Sequence, residues 1–347
     1  MNHKNPLIRS LAILITLFGL GFSEHTLSLN LERYDADVAA LLAEYQADSF
    51  TTQTSSPSRM VFQHTAETYT SVDFKRGMIF IESASKDNLK QAIVAVLLTQ
   101  INPNIIDAAT AQDFGLVGKN KRPFFWNQIH DHEGKAIAYP WRAQRFAEHL
   151  IQHSQLRQKR YRVVIPMVKK HQQIAANKYR HLAEQAAKRH GIPTDIIMAI
   201  METESSFNPR AKSRSNALGL MQIKASTAGR DYFSLIKGVK KTPSSRYLYD
   251  PAQNIEVATG YLKILSSRYL AGINDAKKRE YAMISSYNGG AGNLWLSLDK
   301  KGHRKKALAR INAMNVNEFY WFLTHRHQRE ETRNYLKKVS RRQAKYR

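Results

Sequence analysis

The order of apolar and polar positions divides the chain into a leading stretch and two differently patterned parts. Lys4 and Arg9 precede an uncharged run from Leu11 to Phe22, the layout of a secretory leader with a basic start and a short apolar segment. The run is too short to span a bilayer comfortably. Gly21 and Ser23 supply small residues for a cut after Ser23, so residues 1–23 read as a signal peptide, with an uncleaved anchor as the alternative. Apolar positions at helical spacing from Leu31 to Phe50 predict a helix, and the Ser, Thr and Pro between Thr51 and Ser58 predict a loop after it. Three short β-rich segments follow, Met60 to His64, Tyr69 to Phe74 and Met78 to Glu82, with connections short enough for antiparallel hairpins. A helix is predicted from Lys86 to Ile101 and another from Pro140 to Ser154. Tyr161, Val163, Ile165 and Met167 alternate with more polar neighbours as a strand does.

From about Gln172 the pattern turns almost wholly helical. A helix predicted from Gln172 to His190 ends at Gly191, and Pro193 opens the next, following the preference for Pro at helix starts and Gly at helix ends. Asp250 and Pro251 form an N-cap and first-turn pair ahead of the stripe Ile255, Ala258, Leu262 and Leu265. Further helices are expected at Glu280 to Tyr287, Asn317 to Thr324 and Glu331 to Lys345. The change of pattern near Lys169 to Gln172 places an α+β amino-terminal domain over 24–170 and a mainly α domain over 171–347.

Composition narrows the setting. The 347 residues carry a formal net charge of +25 and no cysteine, so an exported chain of this kind is not held by disulfides. There is also no cysteine behind the leader to carry an acyl chain. Such a charge calls for a polyanionic neighbour. Export removes nucleic acid from the candidates and leaves carboxylate-rich wall polymer or an anionic membrane surface. The 13 His residues include no HExxH pattern and no Cys/His cluster. No metal and no cofactor are therefore expected.

Candidate chemistry begins in the helix opened by Pro193. Ile197, Ile200, Met201 and Glu204 are spaced i, i+3, i+4, i+7, which puts the Glu204 carboxyl on the apolar stripe while Glu202 points elsewhere. Desolvation disfavours the ionised carboxylate and raises its pKa toward the range of a general acid. The competing reading of such a residue is a buried glutamate paired with an arginine or capping a turn.

Three motifs bear on that choice: ESSFNP from Glu204, GLMQI from Gly219 and SYNGGAG from Ser286, within surroundings that include SRSNALGLMQI and YDPAQNI. The set resembles the three signatures of the family 1 lytic transglycosylases, and the resemblance covers roughly Gln172 to Arg347. It implies a lysozyme-like catalytic domain of the goose-type lysozyme and soluble lytic transglycosylase kind. Glu204 matches the family's single catalytic acid/base, and Ser213, Gln222, Tyr287 and Asn288 match positions that contact substrate. Gln222 offers an amide donor and acceptor. Gly219 is expected to clear space for a sugar passing close to backbone, Ser205 to orient the turn or the Glu204 carboxyl, and Met221 and Phe207 to lie in the core. Ser286 stands where the family's third motif normally has Ala, a change that bears on how the Tyr287 helix packs behind Glu204.

The implied reaction acts on peptidoglycan glycan strands. Glu204 protonates the glycosidic oxygen between N-acetylmuramic acid and N-acetylglucosamine, assisted by the substrate's acetamido group, then deprotonates the muramic C6 hydroxyl. A 1,6-anhydro ring closes without water and without the second carboxylate that ordinary glycosidases use. Two alternatives stand beside it: a hydrolytic lysozyme-like muramidase with Asp231 or Asp250 as second acid, and a non-catalytic peptidoglycan-binding protein. The expected location is the periplasm, free, associated with the outer membrane, or held by the leader. A monomer is the simplest expectation.

Overall fold

The structure is a computed structural model that describes residues 56–65, 67–99 and 122–347. The expected leader and the helix over 31–50 lie outside these residues.

The β-rich segments form one antiparallel sheet. Strands β1 (Arg59–Thr65), β2 (Thr68–Asp73), β3 (Met78–Ser83), β4 (Gln155–Arg157) and β5 (Arg160–Pro166) are ordered β1-β2-β3-β5-β4. Their alternation sends Val72, Ile79, Ile81, Val163 and Ile165 to one face. There they pack with Leu89, Ile93 and Val96 of α1 (Lys86–Leu97) and Phe146 of α2 (Pro140–Gln152). Ser85 caps α1 by accepting from the Asn88 amide at 3.1 Å. The helix ends at Leu97, short of the expected Ile101, because the chain turns so that the Thr99 carbonyl receives the Phe124 amide at 2.7 Å. The three-residue strand β4 was too short to leave a period in the sequence.

Helix α3 (His171–His190) joins this layer to the helical part. It ends at Gly191, whose φ of +66° is the left-handed cap conformation glycine adopts without strain. Gln172 donates to the Phe74 carbonyl at 2.6 Å, and Lys178 donates to the Phe124 carbonyl and the Gln128 side chain. Burial holds the Lys178 ammonium down to about 7. Asn208 of the ESSFNP motif donates to the Pro57 carbonyl at 2.9 Å, so both layers meet next to that motif.

Helix α4 (Thr194–Ser205) runs through the second core. Ile196 to Met201 are all essentially without exposure, so the helix is apolar on more than one face. It stops where Ser206 and Phe207 both take positive φ, +53° and +65°. Phe207 is fully buried with its ring stacked on Tyr179, which holds this uncommon backbone in place. The GLMQI motif forms the turn between the two-residue strands β6 (Ala217–Leu218) and β7 (Ile223–Lys224). A π-helical turn at Ala225–Gly229 leads into α5 (Arg230–Leu235), followed by α6 (Ser245–Tyr249) and α7 (Pro251–Ile264). Asp250 caps α7 through the Gln253 amide at 2.9 Å.

Five helices complete the chain: α8 (Ala276–Gly289), α9 (Ala291–Leu298), α10 (Arg304–Ala313), α11 (Val316–His325) and α12 (Glu330–Gln343). Asn315 and Glu318 form a reciprocal capping box at the start of α11. Helix α12 packs along α4 and α8, bringing the chain's last turns against the helix that carries Glu204. Among the described residues no helix is long and apolar enough to cross a membrane.

Candidate active site

Glu204 lies in the last turn of α4, with Ile197, Ile200 and Met201 of its stripe fully buried. The side chain itself is half-buried. Its Oε1 accepts from the Tyr335 hydroxyl of α12 at 2.7 Å. Burial pushes the carboxyl up to about 7; the Tyr335 bond pulls down and the negative charge of Glu331 pushes up. A carboxylic acid poised there carries a proton near neutral pH and gives it up readily, as a general acid that must later act as a base requires.

Glu202 lies two residues away and is 6% exposed. Sequence spacing turned it away from the Glu204 stripe, and it is buried nonetheless, because α4 is enclosed on that side as well. Its Oε1 accepts from Arg342 at 3.0 Å and Lys345 at 2.8 Å, and its Oε2 from the Tyr346 hydroxyl at 2.6 Å. Burial pushes Glu202 up, but the Lys345 and Tyr346 hydrogen bonds and the two cations outweigh it and hold the group below the ordinary range. The reading of a buried glutamate paired with an arginine thus belongs to Glu202.

Tyr287 and Tyr335 are close enough to Glu204 for its charge to raise both phenols, although burial is the larger cause. The Tyr287 hydroxyl donates to the Met221 carbonyl at 2.7 Å, linking the SYNGGAG helix to the GLMQI turn. Asn288 donates to Glu331 at 3.1 Å and accepts from the Thr332 hydroxyl at 2.8 Å. The third motif is therefore coupled to Glu204 electrostatically through the Tyr287 phenol, and through Glu331, which Asn288 holds. Met221 is fully buried, as expected for a core residue.

Gln222 has φ +51° and donates from Nε2 to the carbonyls of Gly219 at 3.0 Å and Ala211 at 3.2 Å. Those bonds fix the amide, and its Oε1 has no hydrogen-bond partner. A buried acceptor left without a donor carries a local desolvation cost. Ser213 accepts from the Ala217 amide at 3.0 Å and lies 3.2 Å from the Ser215 hydroxyl. It is tied into its own loop, and no bond joins it to Glu204.

One expectation changes, that for Gly219, and one is narrowed, that for Ser205. Gly219 has φ +74°, and a Cβ there would meet Asn254 Nδ2 at 2.4 Å and the Leu248 carbonyl at 2.5 Å. The space it clears is occupied by Asn254, which is fully buried and braces the motif through bonds to Met221, Leu218 and Leu248. Ser205 donates to the Leu220 carbonyl at 2.7 Å and the Met201 carbonyl at 3.3 Å, so it orients the turn and does not touch the carboxyl. Ser286 is buried with its hydroxyl unpaired, a local cost an alanine would not carry.

Neither Asp231 nor Asp250 is among the groups whose charge shifts Glu204. Asp250 caps α7, and Asp231 accepts from the Tyr269 hydroxyl at 3.2 Å. The carboxylate that acts on Glu204 is Glu331, exposed at the start of α12 and, like Tyr335, too distant in sequence for any spacing argument to have found.

Comparison with known proteins adds to this geometry. Residues 181–309 match the Transglycosylase SLT domain, and residues 47–178 match the N-terminal domain of membrane-bound lytic murein transglycosylase C. The chain is 41% identical over 290 residues to the membrane-bound lytic murein transglycosylase C of Yersinia pestis (strain Pestoides F), covering 81% of this chain and 80% of that protein. The protein of the same description from Yersinia pseudotuberculosis (serotype O:1b, strain IP 31758) matches to the same extent. Among solved structures, the 70 kDa soluble lytic transglycosylase of Escherichia coli is 26% identical at a TM-score of 0.38, over 49% of this chain and 24% of that one. That score is too low to carry a structural argument, and the sequence matches to both halves carry the assignment instead. The chain belongs to the membrane-bound lytic murein transglycosylase C family.

Proposed function

We infer from family membership and the site together that this protein is a peptidoglycan lytic transglycosylase, an enzyme whose substrate is the glycan strand. The finer reading is that it cleaves the β-1,4 bond between N-acetylmuramic acid and N-acetylglucosamine without water, releasing 1,6-anhydromuropeptides in cell-wall turnover. Glu204 serves first as acid and then as base. The single observation that carries this reading is a half-buried carboxyl raised to about 7 and held by one hydroxyl donor.

The site supports each step. Protonated Glu204 delivers its proton to the glycosidic oxygen, and the C1–O bond breaks with assistance from the neighbouring acetamido oxygen. The carboxylate left behind is held by Tyr335, whose hydrogen bond favours the ionised form. It then takes the C6 hydroxyl proton as O6 bonds to C1, which restores the acid. Gln222, whose buried Oε1 has no partner within the protein, matches a substrate-contact position of the family. Tyr287 holds the GLMQI turn through the Met221 carbonyl, with its phenol near enough to Glu204 to feel that charge. Asn288 and Ser213 match substrate-contact positions of the family; meeting substrate would require them to exchange the bonds they make within the protein. The α+β part is assigned to 24–170, with Pro57 meeting Asn208 of the ESSFNP motif, and the catalytic part to 171–347. The enzyme works in the periplasm, at the outer membrane or held by its leader, as a monomer.

Mass spectrometry of soluble products released from purified peptidoglycan tests the reaction. The expected products end in 1,6-anhydromuramic acid. Products heavier by one water, with reducing ends, overturn the non-hydrolytic reading in favour of a muramidase, and absence of any release revives the binding-protein alternative.

A further inference from the structure

The loop between α5 and α6 carries a feature that the catalytic site does not use. Ile236 and Val239 are exposed, 38% and 48%, and are two of the few large apolar side chains left in solvent among the described residues. They stand three positions apart around Gly238, whose φ of +72° lets the chain turn at the tip. Lys237, Lys240 and Lys241 interleave with them in the loop, Arg246 follows in α6, and no acidic residue occurs between Asp231 and Asp250.

This loop is already built for display. Ile236 N–H donates to the Tyr232 carbonyl at 2.9 Å, Val239 N–H to the Phe233 carbonyl at 3.0 Å, and Lys241 N–H to the Val239 carbonyl at 2.9 Å. The Lys237 and Lys241 ammoniums lie over the rings of Tyr232 and Phe233 at 5.7 and 5.8 Å. None of the four cations meets a carboxylate among the described residues. The basic run at the end of the chain behaves differently: Arg342 and Lys345 are consumed by Glu202, and Arg347 by Asp195.

We propose that the Ile236–Lys241 loop docks the enzyme on a bilayer surface bearing anionic lipid headgroups. Its two aliphatic tips enter the boundary between headgroups and acyl chains, and its lysines pair with phosphates. The chemistry selects lipid over wall polymer. A polysaccharide is gripped by flat aromatic faces and by amide or carboxylate hydrogen-bonding groups, whereas branched aliphatic side chains interleaved with lysines match an interface that is apolar below and anionic above. Anionic headgroups attract each such lysine individually, and the attraction decays within a Debye length. The inference stands apart from which bond the enzyme cuts.

The test places a reporter at the tip. In the full chain carrying Val239→Trp, with the spectrum of the unaltered chain subtracted, vesicles containing phosphatidylglycerol should shift the introduced indole's emission to the blue. Phosphatidylcholine vesicles should not, and high salt should reverse the shift. Adding Lys237→Gln, Lys240→Gln and Lys241→Gln should weaken the vesicle response roughly 100-fold. The same loss of charge through Lys337→Gln, Lys338→Gln and Arg341→Gln on the exposed face of α12 should leave it within about twofold, because charges beyond the Debye length are screened. All variants should still release product from soluble glycan fragments. Absence of a shift, an equal loss in the α12 variant, or a loop variant that loses binding to purified sacculi while keeping its vesicle response would each overturn the proposal.

Discussion

Helix α4 holds two glutamates two residues apart, and their surroundings drive them to opposite protonation states. The region around Glu204 is apolar on one side and supplies a single neutral donor, so the carboxyl is raised to about 7. The region around Glu202 is just as enclosed but supplies a guanidinium, an ammonium and a phenol, so the carboxyl stays ionised. Both regions are furnished by the end of the chain, α12 and the residues after it. Burial alone therefore does not make a catalytic acid. What separates a structural carboxylate from a reactive one is whether the enclosing elements bring compensating charge.

Neutralising each glutamate in turn separates the two environments most strongly. Glu204→Gln, nearly isosteric, should lower turnover on peptidoglycan by on the order of 10²–10⁴-fold or more, whereas Glu202→Gln should retain most activity. Comparable losses from both would erase the distinction.

A smaller effect is expected in stability. Glu202→Ala leaves Arg342 and Lys345 without their carboxylate and should cost about 2–3 kcal/mol by denaturant unfolding at neutral pH. That figure sits below the usual range for a broken buried pair because Lys345 is largely exposed. The sign of its pH dependence follows from the depressed folded-state pKa. The contribution is present above the ordinary glutamate range and is lost as pH falls through the folded value, so the variant and the unaltered protein should converge in acid. A gap that persists in acid would contradict the ion-pair account.

The finest test concerns the two groups of α12 that act on Glu204 in opposite senses. Tyr335→Phe removes a bond that favours the ionised form and should move the basic limb of the kcat/KM profile to higher pH. Glu331→Gln removes a repelling charge and should move it to lower pH, by less, and the difference should vanish at high salt because Glu331 is exposed. Shifts in the same direction would show that the profile does not report Glu204.

Much of this was legible in the sequence where a local rule applied. The stripe Ile197, Ile200, Met201 and Glu204, the glycine stop at Gly191 and the Asp250 cap each depend on neighbours within a turn or two, and each recurs in the structure. What was not legible depends on distant partners. Tyr335 and Glu331 reach Glu204 only because α12 folds back along α4, and Arg342 reaches Glu202 across 140 positions. The space beside Gly219, expected to pass a sugar, is filled by Asn254, a partner that no local spacing reveals. Tyr287 and Ser213, expected to face substrate, have hydrogen bonds committed inside the protein that no spacing rule shows.

Glu204 is expected to titrate near neutrality in the resting enzyme, with a substantial protonated fraction at pH 7. Carbon-13 titration of the glutamate side-chain carboxyls, with the Glu204 signal assigned by its absence in Glu204→Gln, measures this directly. The expected midpoint is about 7. A midpoint at the ordinary glutamate value, about 4.3, would contradict the account.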